Sequence, residues 1–235
     1  MIKMTKVIFA LTVCLVLITG VFTGCQQDSS EGSEMQEAVD SLRDDQEVLR
    51  EEIDRLSMKI ETLDTTKELL LRLVDEQVTI LSGELGDDYV ILPIYHLDIN
   101  TYDIRVQYYT MVQAEADIEE KVQHLAEKLS MYSFDGLPIE LLGIETDDSD
   151  QQIAVINLID PEDRIRTHTG KTWAGLYFQG SSGGNATVTK LLETFLQEEY
   201  AGEWVEGVKF LYNGDETNQF EHIGELLGQA YYRGM

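Results

Sequence analysis

One glycine- and serine-rich segment has residue types and spacing that suggest binding chemistry. It consists of Gly180, Ser181, Ser182, Gly183, Gly184 and Asn185. Free backbone N–H groups in such a stretch before a helix can hold an anion. The segment matches neither GxxxxGK[ST] nor GxGxxG, and we assign no catalytic role to its serines. We therefore expect a flexible loop ending in a helix cap at Asn185 or Thr187, with anion binding as the alternative.

Metal chemistry has weaker support. The four histidines are His96, His124, His168 and His222. They form no i,i+4 pair and no HExxH-like motif. Asp147, Asp148 and Asp150 offer oxygen atoms to calcium, but the sixth-position glycine and twelfth-position glutamate of an EF-hand are absent. We expect a solvated turn there, no metal site and no cofactor.

The sequence also contains residues of the types that hydrolyse or bind glycans. The chain has 44 acidic residues, and none of their pairings stands out for glycoside hydrolysis. Trp173, Tyr177 and Phe178 lie near the glycine-rich segment and offer rings for sugar stacking, although packing in a strand core is the role we favour. No catalytic residue is assigned, and we expect a protein that is not an enzyme.

The N-terminus has the pattern of a secretion signal. Two lysines precede an apolar run at 7–18 that is too short to span a bilayer comfortably. The residues Thr23-Gly24-Cys25 resemble the lipobox of bacterial lipoproteins, although Phe22 stands where leucine is usual. The resemblance implies a signal peptide at 1–24 and a lipid on Cys25 that holds the protein on the outside of the cell membrane. The alternative is an uncleaved membrane anchor over 7–24.

Charge narrows the set of partners. The formal charge of −27 becomes −29 when Lys3 and Lys6 leave with the signal. Such an acidic chain is repelled by nucleic acid and by anionic lipid headgroups, so basic proteins, cations or neutral glycans are better candidates. A saline habitat is another explanation of the acidity. Cys14 would also leave with the signal, and if Cys25 carries the lipid, no thiol remains for disulfide or redox chemistry.

Residues 35–82 have the heptad pattern of a coiled coil, after a polar segment at 25–34 that we expect to be a flexible linker. The apolar seam residues are Val39, Leu42, Leu49, Ile53, Leu56, Ile60, Leu63, Leu70 and Val74. Leucine at d with β-branched residues at a favours a parallel homodimer, and polar Gln46 and Lys67 disfavour slipped registers. The alternative is an amphipathic helix that folds back on its own domain. The stripe widens after Thr66, so we expect that end to dock on the domain.

Residues 89–235 are enough for one domain. Composition and periodicity predict strands at 89–94, 104–112, 139–145, 153–158 and 205–212, and helices at 117–132 and 185–199. Turn residues at 146–150 predict a hairpin. The fold class is α+β, a βαββαβ-type sheet with helices packed on one face, preceded by a long N-terminal coiled-coil helix.

The stretch 104–214 resembles the GerMN domain of bacterial sporulation and spore-germination proteins. The resemblance rests on the segments 122–129, 153–158, 191–195 and 208–214. The chain departs from that family in a longer polar excursion between Asp160 and Thr172 and in its coiled coil. The family implies a non-enzymatic protein-interaction module of the cell envelope, linked to sporulation or germination, with an unidentified envelope protein as partner. The alternative function is an envelope enzyme or glycan-binding protein that uses 180–185 and the nearby aromatic residues.

Overall fold

The computed structural model describes residues 29–83, 86–162, 165, 171–217 and 219–234, with backbone alone for 29–34. The predicted signal and Cys25 lie outside the described residues. The chain divides into two compact units, with the boundary between Asp64 and Thr65. No helix in the described part of the chain is both long and apolar enough to span a bilayer.

The first helix, α1, runs from Ser29 to Ser82 over 54 residues. It begins inside the predicted linker, so residues 29–34 are helical and that part of the linker prediction is wrong. In the first unit the helix carries exposed i,i+3 ion pairs between Arg43 and Asp40 and between Arg55 and Glu52. Exposed pairs of this kind contribute only about 0.5 kcal/mol each, so they do not by themselves hold the helix together.

The strands form two sheets. Strands β1 (Tyr89–Leu97) and β2 (Ile104–Gln113) make an antiparallel hairpin. A second sheet has the order β3-β4-β5-β6, with bounds Ile139–Thr146, Gln152–Leu158, Gly207–Tyr212 and Ala230–Tyr232. Strands β4 and β5 are parallel, whereas the other neighbours are antiparallel. An α+β fold with mixed sheets is therefore confirmed.

The single βαββαβ sheet is not confirmed. The chain order β2, α2, β3, β4, α3, β5 matches the predicted order of elements, but β2 pairs with β1 in the separate hairpin. A short link allows β1 and β2 to pair locally, at little loop-closure cost. The last strand, β6, was not predicted because it has only three residues.

Two helices pack on the four-stranded sheet. Helix α2 (Ile118–Ser133) begins with a capping box, in which Asp117 and Glu120 each bond the other's backbone N–H. Helix α3 spans Ser181–Leu196. Apolar residues of both helices share one buried core with alternate residues of the sheet; they include Val122, Leu125, Leu129, Leu191, Phe195, Ala154, Ile156, Leu158, Val208 and Phe210. Both helices thus contribute to one core with this sheet.

Candidate functional site

The last turns of α1 are fastened to the free edge of β2. The side-chain amide of Gln77 donates to the Tyr109 carbonyl oxygen at 2.7 Å and accepts from the Tyr109 N–H at 2.9 Å. The amide therefore replaces the pair of hydrogen bonds that a neighbouring strand would make at this residue. Docking of this end of the helix on the domain is confirmed.

Glu76 extends this contact into the layer beneath the hairpin. One carboxylate oxygen accepts from the Thr110 hydroxyl at 2.8 Å and the Met111 N–H at 3.3 Å, and the other lies 2.6 Å from Lys128 Nζ of α2. Burial alone would raise the pKa of Glu76, but hydrogen bonds from Lys128 and Thr110 and the charge of Lys128 bring that pKa below its ordinary value. Glu76 is therefore a carboxylate at neutral pH, and it bridges β2 and α2.

His124 completes the cluster. Its Nε2 lies 2.8 Å from the Thr110 hydroxyl oxygen, and because that hydroxyl donates to Glu76, the imidazole Nε2–H must donate to Thr110. Burial, and then the charge of Lys128, lower the pKa of His124 although Glu76 opposes the shift. The imidazole is therefore neutral at pH 7 and serves as a hydrogen-bond donor within the structure. We call Glu76, Gln77, Thr110, His124 and Lys128 the helix clamp.

The end of α1 has two apolar faces. Leu73 packs against the core, and Ile80 is buried. A second set remains exposed to solvent; it consists of Leu70, Leu71, Val74, Val78 and Leu81. These sets lie on adjacent sides of one helix, so docking on the domain uses only part of the widened stripe.

The hairpin also has an exposed apolar face. Ile91 and Tyr109 are 42% and 38% exposed, and each lies on the side opposite the buried Leu92 and Thr110. Both hairpin edges already have partners. The helix clamp bonds β2, whereas on β1 the Tyr95 N–H donates to Thr194 of α3 and the Pro93 carbonyl oxygen accepts from Gln197, the C-cap of α3. The hairpin therefore offers its face to a partner more readily than its edges.

The predicted ligand loop is helical. Ser181, Ser182, Gly183, Gly184 and Asn185 form the first turns of α3, and Gly180 is the N-cap with φ 71°. The helix begins four residues earlier than predicted because Gly180 adopts a positive φ and Gly184 fits against the backbone of His222. The expectation of a flexible loop at 180–185 is wrong.

The aromatic residues near that segment lie in the core. Trp173 and Phe178 are buried. Trp173 is the first residue of a π-helical turn at Trp173–Tyr177 and Phe178 is its C-cap, so neither residue lies in a strand. The buried carboxylate of Asp160 accepts from the Trp173 N–H at 2.5 Å and the Ala174 N–H at 3.1 Å, which holds this turn. Core packing is confirmed and the strand assignment is wrong. With the rings of Trp173 and Phe178 buried, the structure lends no support to a glycan-stacking surface at these residues.

The predicted acidic turn forms a hairpin between β3 and β4. Asp147 accepts from the N–H groups of Gln151 and Ser149 and from the Tyr232 hydroxyl. These hydrogen bonds, led by the one from Gln151, lower the pKa of Asp147. Its oxygen atoms are thus used within the fold. Among the described residues, no group of three or more histidine, cysteine, aspartate or glutamate side chains converges as a metal site would.

Sequence reasoning missed one unusual cation. Lys190 of α3 lies over the Phe134 ring and donates to Gln107 Oε1 at 2.9 Å, and no carboxylate pairs with it among the described residues. Burial lowers its pKa to about 8. Gln107 is the extra residue where the β1–β2 register shifts, and this bulge accounts for the reach of its side chain. The sequence signal that could have indicated this cation was the position of Lys190 as a single lysine on the apolar face of α3.

The helix clamp was also missed as a set. Its members come from three elements that are distant in sequence, so no local pattern joins them. The available signal was Gln77, a polar residue at a d position of the heptad. Comparisons with protein-family models, with curated proteins and with solved structures found no match to this chain.

Proposed function

We propose that this chain is a lipid-anchored, extracytoplasmic protein whose parallel coiled-coil stalk holds a non-enzymatic α+β interaction domain away from the membrane. The lipobox resemblance supports anchoring at Cys25, and the GerMN resemblance supports a role in the cell envelope during sporulation or germination. The domain binds another envelope protein in this proposal.

The observation that carries the proposal is the exposure of the seam. The seam residues from Val39 to Val74 are between 38% and 67% exposed along one helix. A stripe of this length on a helix of about 80 Å is costly to leave in water, because each buried apolar side chain contributes about 1.5–3 kcal/mol. A second copy in parallel covers the stripe with identical residues and brings both lipid anchors to the same end.

Light scattering on the mature chain with Cys25→Ser tests the stalk. We expect the mass of a dimer, and we expect a monomer when Leu49→Asp and Leu56→Asp place charges in the seam. The matched control is Val48→Asp with Met58→Asp, since these exposed apolar residues lie outside the a and d positions. A wild-type monomer, or equal loss of mass in both pairs, would contradict the coiled coil.

Mass spectrometry of the native N-terminus tests the anchor. We expect a mature chain that begins at a lipidated Cys25, and release of the protein from membranes when Cys25→Ser removes the acceptor thiol. An unmodified Met1 on the mature protein would refute lipidation.

A further inference from the structure

The flanking positions of the heptad change character together near the domain. The e positions are Arg43, Arg50, Ser57, Asp64, Leu71 and Val78. The g positions are Asp45, Glu52, Lys59, Thr66, Leu73 and Ile80. Both series are polar in the first four heptads and apolar in the last two. Because two-stranded coils normally carry charged or polar residues at e and g, this change indicates additional contacts at the domain end.

The domain of the same chain accounts for the g side alone. Leu73 packs against the core, and Ile80 is 8% exposed. On the e side, Leu71 and Val78 are 59% and 60% exposed. The apolar residues at the e positions are therefore left largely uncovered within one copy.

The helix clamp shows which part of the domain lies next to the seam. Glu76 contacts the inner layer, through the side chains of Thr110 and Lys128, whereas Gln77 contacts the edge of β2 at Tyr109. Successive helix residues point about 100° apart. Around the axis of α1, Glu76 therefore points to the inner layer and Gln77 points to the hairpin edge. A further rotation in the same sense reaches the a positions, which point towards the outer face of the hairpin.

The outer face of the hairpin is apolar at that place. Tyr109 lies in β2, directly beside Gln77, and Ile91 of β1 pairs with Met111 of β2 on the same face. In a parallel coil the g side of one helix faces the e side of the other. The domain sits on the g side of its own helix, so the e residues of a second copy come towards this face.

We propose that, in the dimer, Leu71 and Val78 of each copy pack against the outer face of the β1–β2 hairpin of the other copy, on Ile91 and Tyr109. This inference rests on the proposed parallel dimer and names a second interface within it. The contact is face packing, since both hairpin edges are bonded. The coil supplies a high effective concentration, so a small apolar patch is enough to hold each domain against its partner's stalk.

Engineered cysteines test the contact, because the mature chain with Cys25→Ser has no thiol. One copy carries Val78→Cys and a second, differently tagged copy carries Tyr109→Cys, and the two are co-expressed and treated with a short bismaleimide. We expect a cross-linked heterodimer. The matched control replaces Val78→Cys by Thr79→Cys, which lies at f, on the side of the helix away from the seam, and we expect at least a tenfold lower yield. When Leu71→Glu is added to the Val78→Cys copy, we expect the yield of its cross-link to Tyr109→Cys to fall towards the yield of the Thr79→Cys control.

A reference cross-link separates this inference from the dimer itself. Leu56→Cys in both copies reports the seam alone. If it cross-links while Val78→Cys with Tyr109→Cys gives no more product than the Thr79→Cys control, the second interface is refuted and the coiled coil stands. If Leu56→Cys fails to cross-link and the chain is a monomer by light scattering, the coiled coil is refuted and the second interface falls with it.

Discussion

The change Glu76→Gln tests how firmly the end of α1 is held on the domain. Glutamine keeps the shape of the side chain and an oxygen for Thr110 and Met111, but it removes the charge that faces Lys128. Both partners are largely covered, with side-chain exposures of 11% for Glu76 and 21% for Lys128. Leaving one charge of a fully buried pair without its partner costs about 3–5 kcal/mol, and a pair with some access to water costs less. We therefore expect the free energy of unfolding of the second unit to fall by about 2 kcal/mol at pH 7.

The stabilising effect of Glu76 should depend on pH in a definite direction. The folded-state pKa of Glu76 lies below its ordinary value of 4.5. Its stabilising effect is therefore complete above pH 4.5 and is lost as the pH falls through the folded pKa, because the unfolded state then binds the proton more readily. The difference between wild type and Glu76→Gln should shrink in acid, since protonated Glu76 is also neutral.

Urea unfolding followed by the fluorescence of Trp173 and Trp204 measures this difference, because both indoles are buried in the second unit. Asp75→Asn is the matched control: it removes a neighbouring carboxylate that is exposed, and we expect a change below about 0.5 kcal/mol. The reasoning is refuted if Glu76→Gln is no more destabilising than Asp75→Asn, or if the difference grows as the pH falls.

Three further predictions concern the domain. Gly184→Ala should lower the melting temperature, because its Cβ would lie 2.1 Å from the His222 carbonyl oxygen. The control Gly183→Ala has open space around its Cβ and should stabilise α3 by about 0.5–1 kcal/mol. Equal effects of the two substitutions would contradict the packing of Gly184 against His222. Lys190→Met should stabilise the fold by about 1 kcal/mol at pH 7 in urea unfolding, discounted for solvent access. That gain should decline as the pH rises above about 8, since the unfolded amine holds its proton to higher pH than the folded amine; a gain independent of pH would show that charge burial is not its cause. Asp160→Asn should cost about 2 kcal/mol, because an amide cannot replace all the carboxylate's acceptor sites in the π-helical turn, and an unchanged urea midpoint would refute that role.

Local chemistry predicted some elements well. The helix predicted at 117–132 from its apolar periodicity forms as α2, and the capping box of Asp117 and Glu120 starts it. The acidic turn between β3 and β4 also forms as predicted, because Asp147 bonds backbone groups only two and four residues away. In both cases the deciding contacts lie within five residues.

Long-range contacts decided the rest. The start of α3 depends on Gly184 meeting His222, and the reach of Gln107 to Lys190 depends on a bulge in β2. The partition of strands between two sheets likewise depends on which strand edges meet. No local pattern contains these distances, so the loop at 180–185 and the single sheet were reasonable predictions from sequence that tertiary packing did not follow.

The sequence by itself determined the periodic pattern of α1, including the seam and the change from polar to apolar residues at e and g, because heptad spacing is a property of the chain alone. Only the tertiary structure decided that Leu73 and Ile80 face the domain while Leu71 and Val78 remain exposed. The physical reason is that a helix buries whichever side meets another surface, and the position of that surface depends on Glu76 and Gln77 meeting β2, more than 30 residues away.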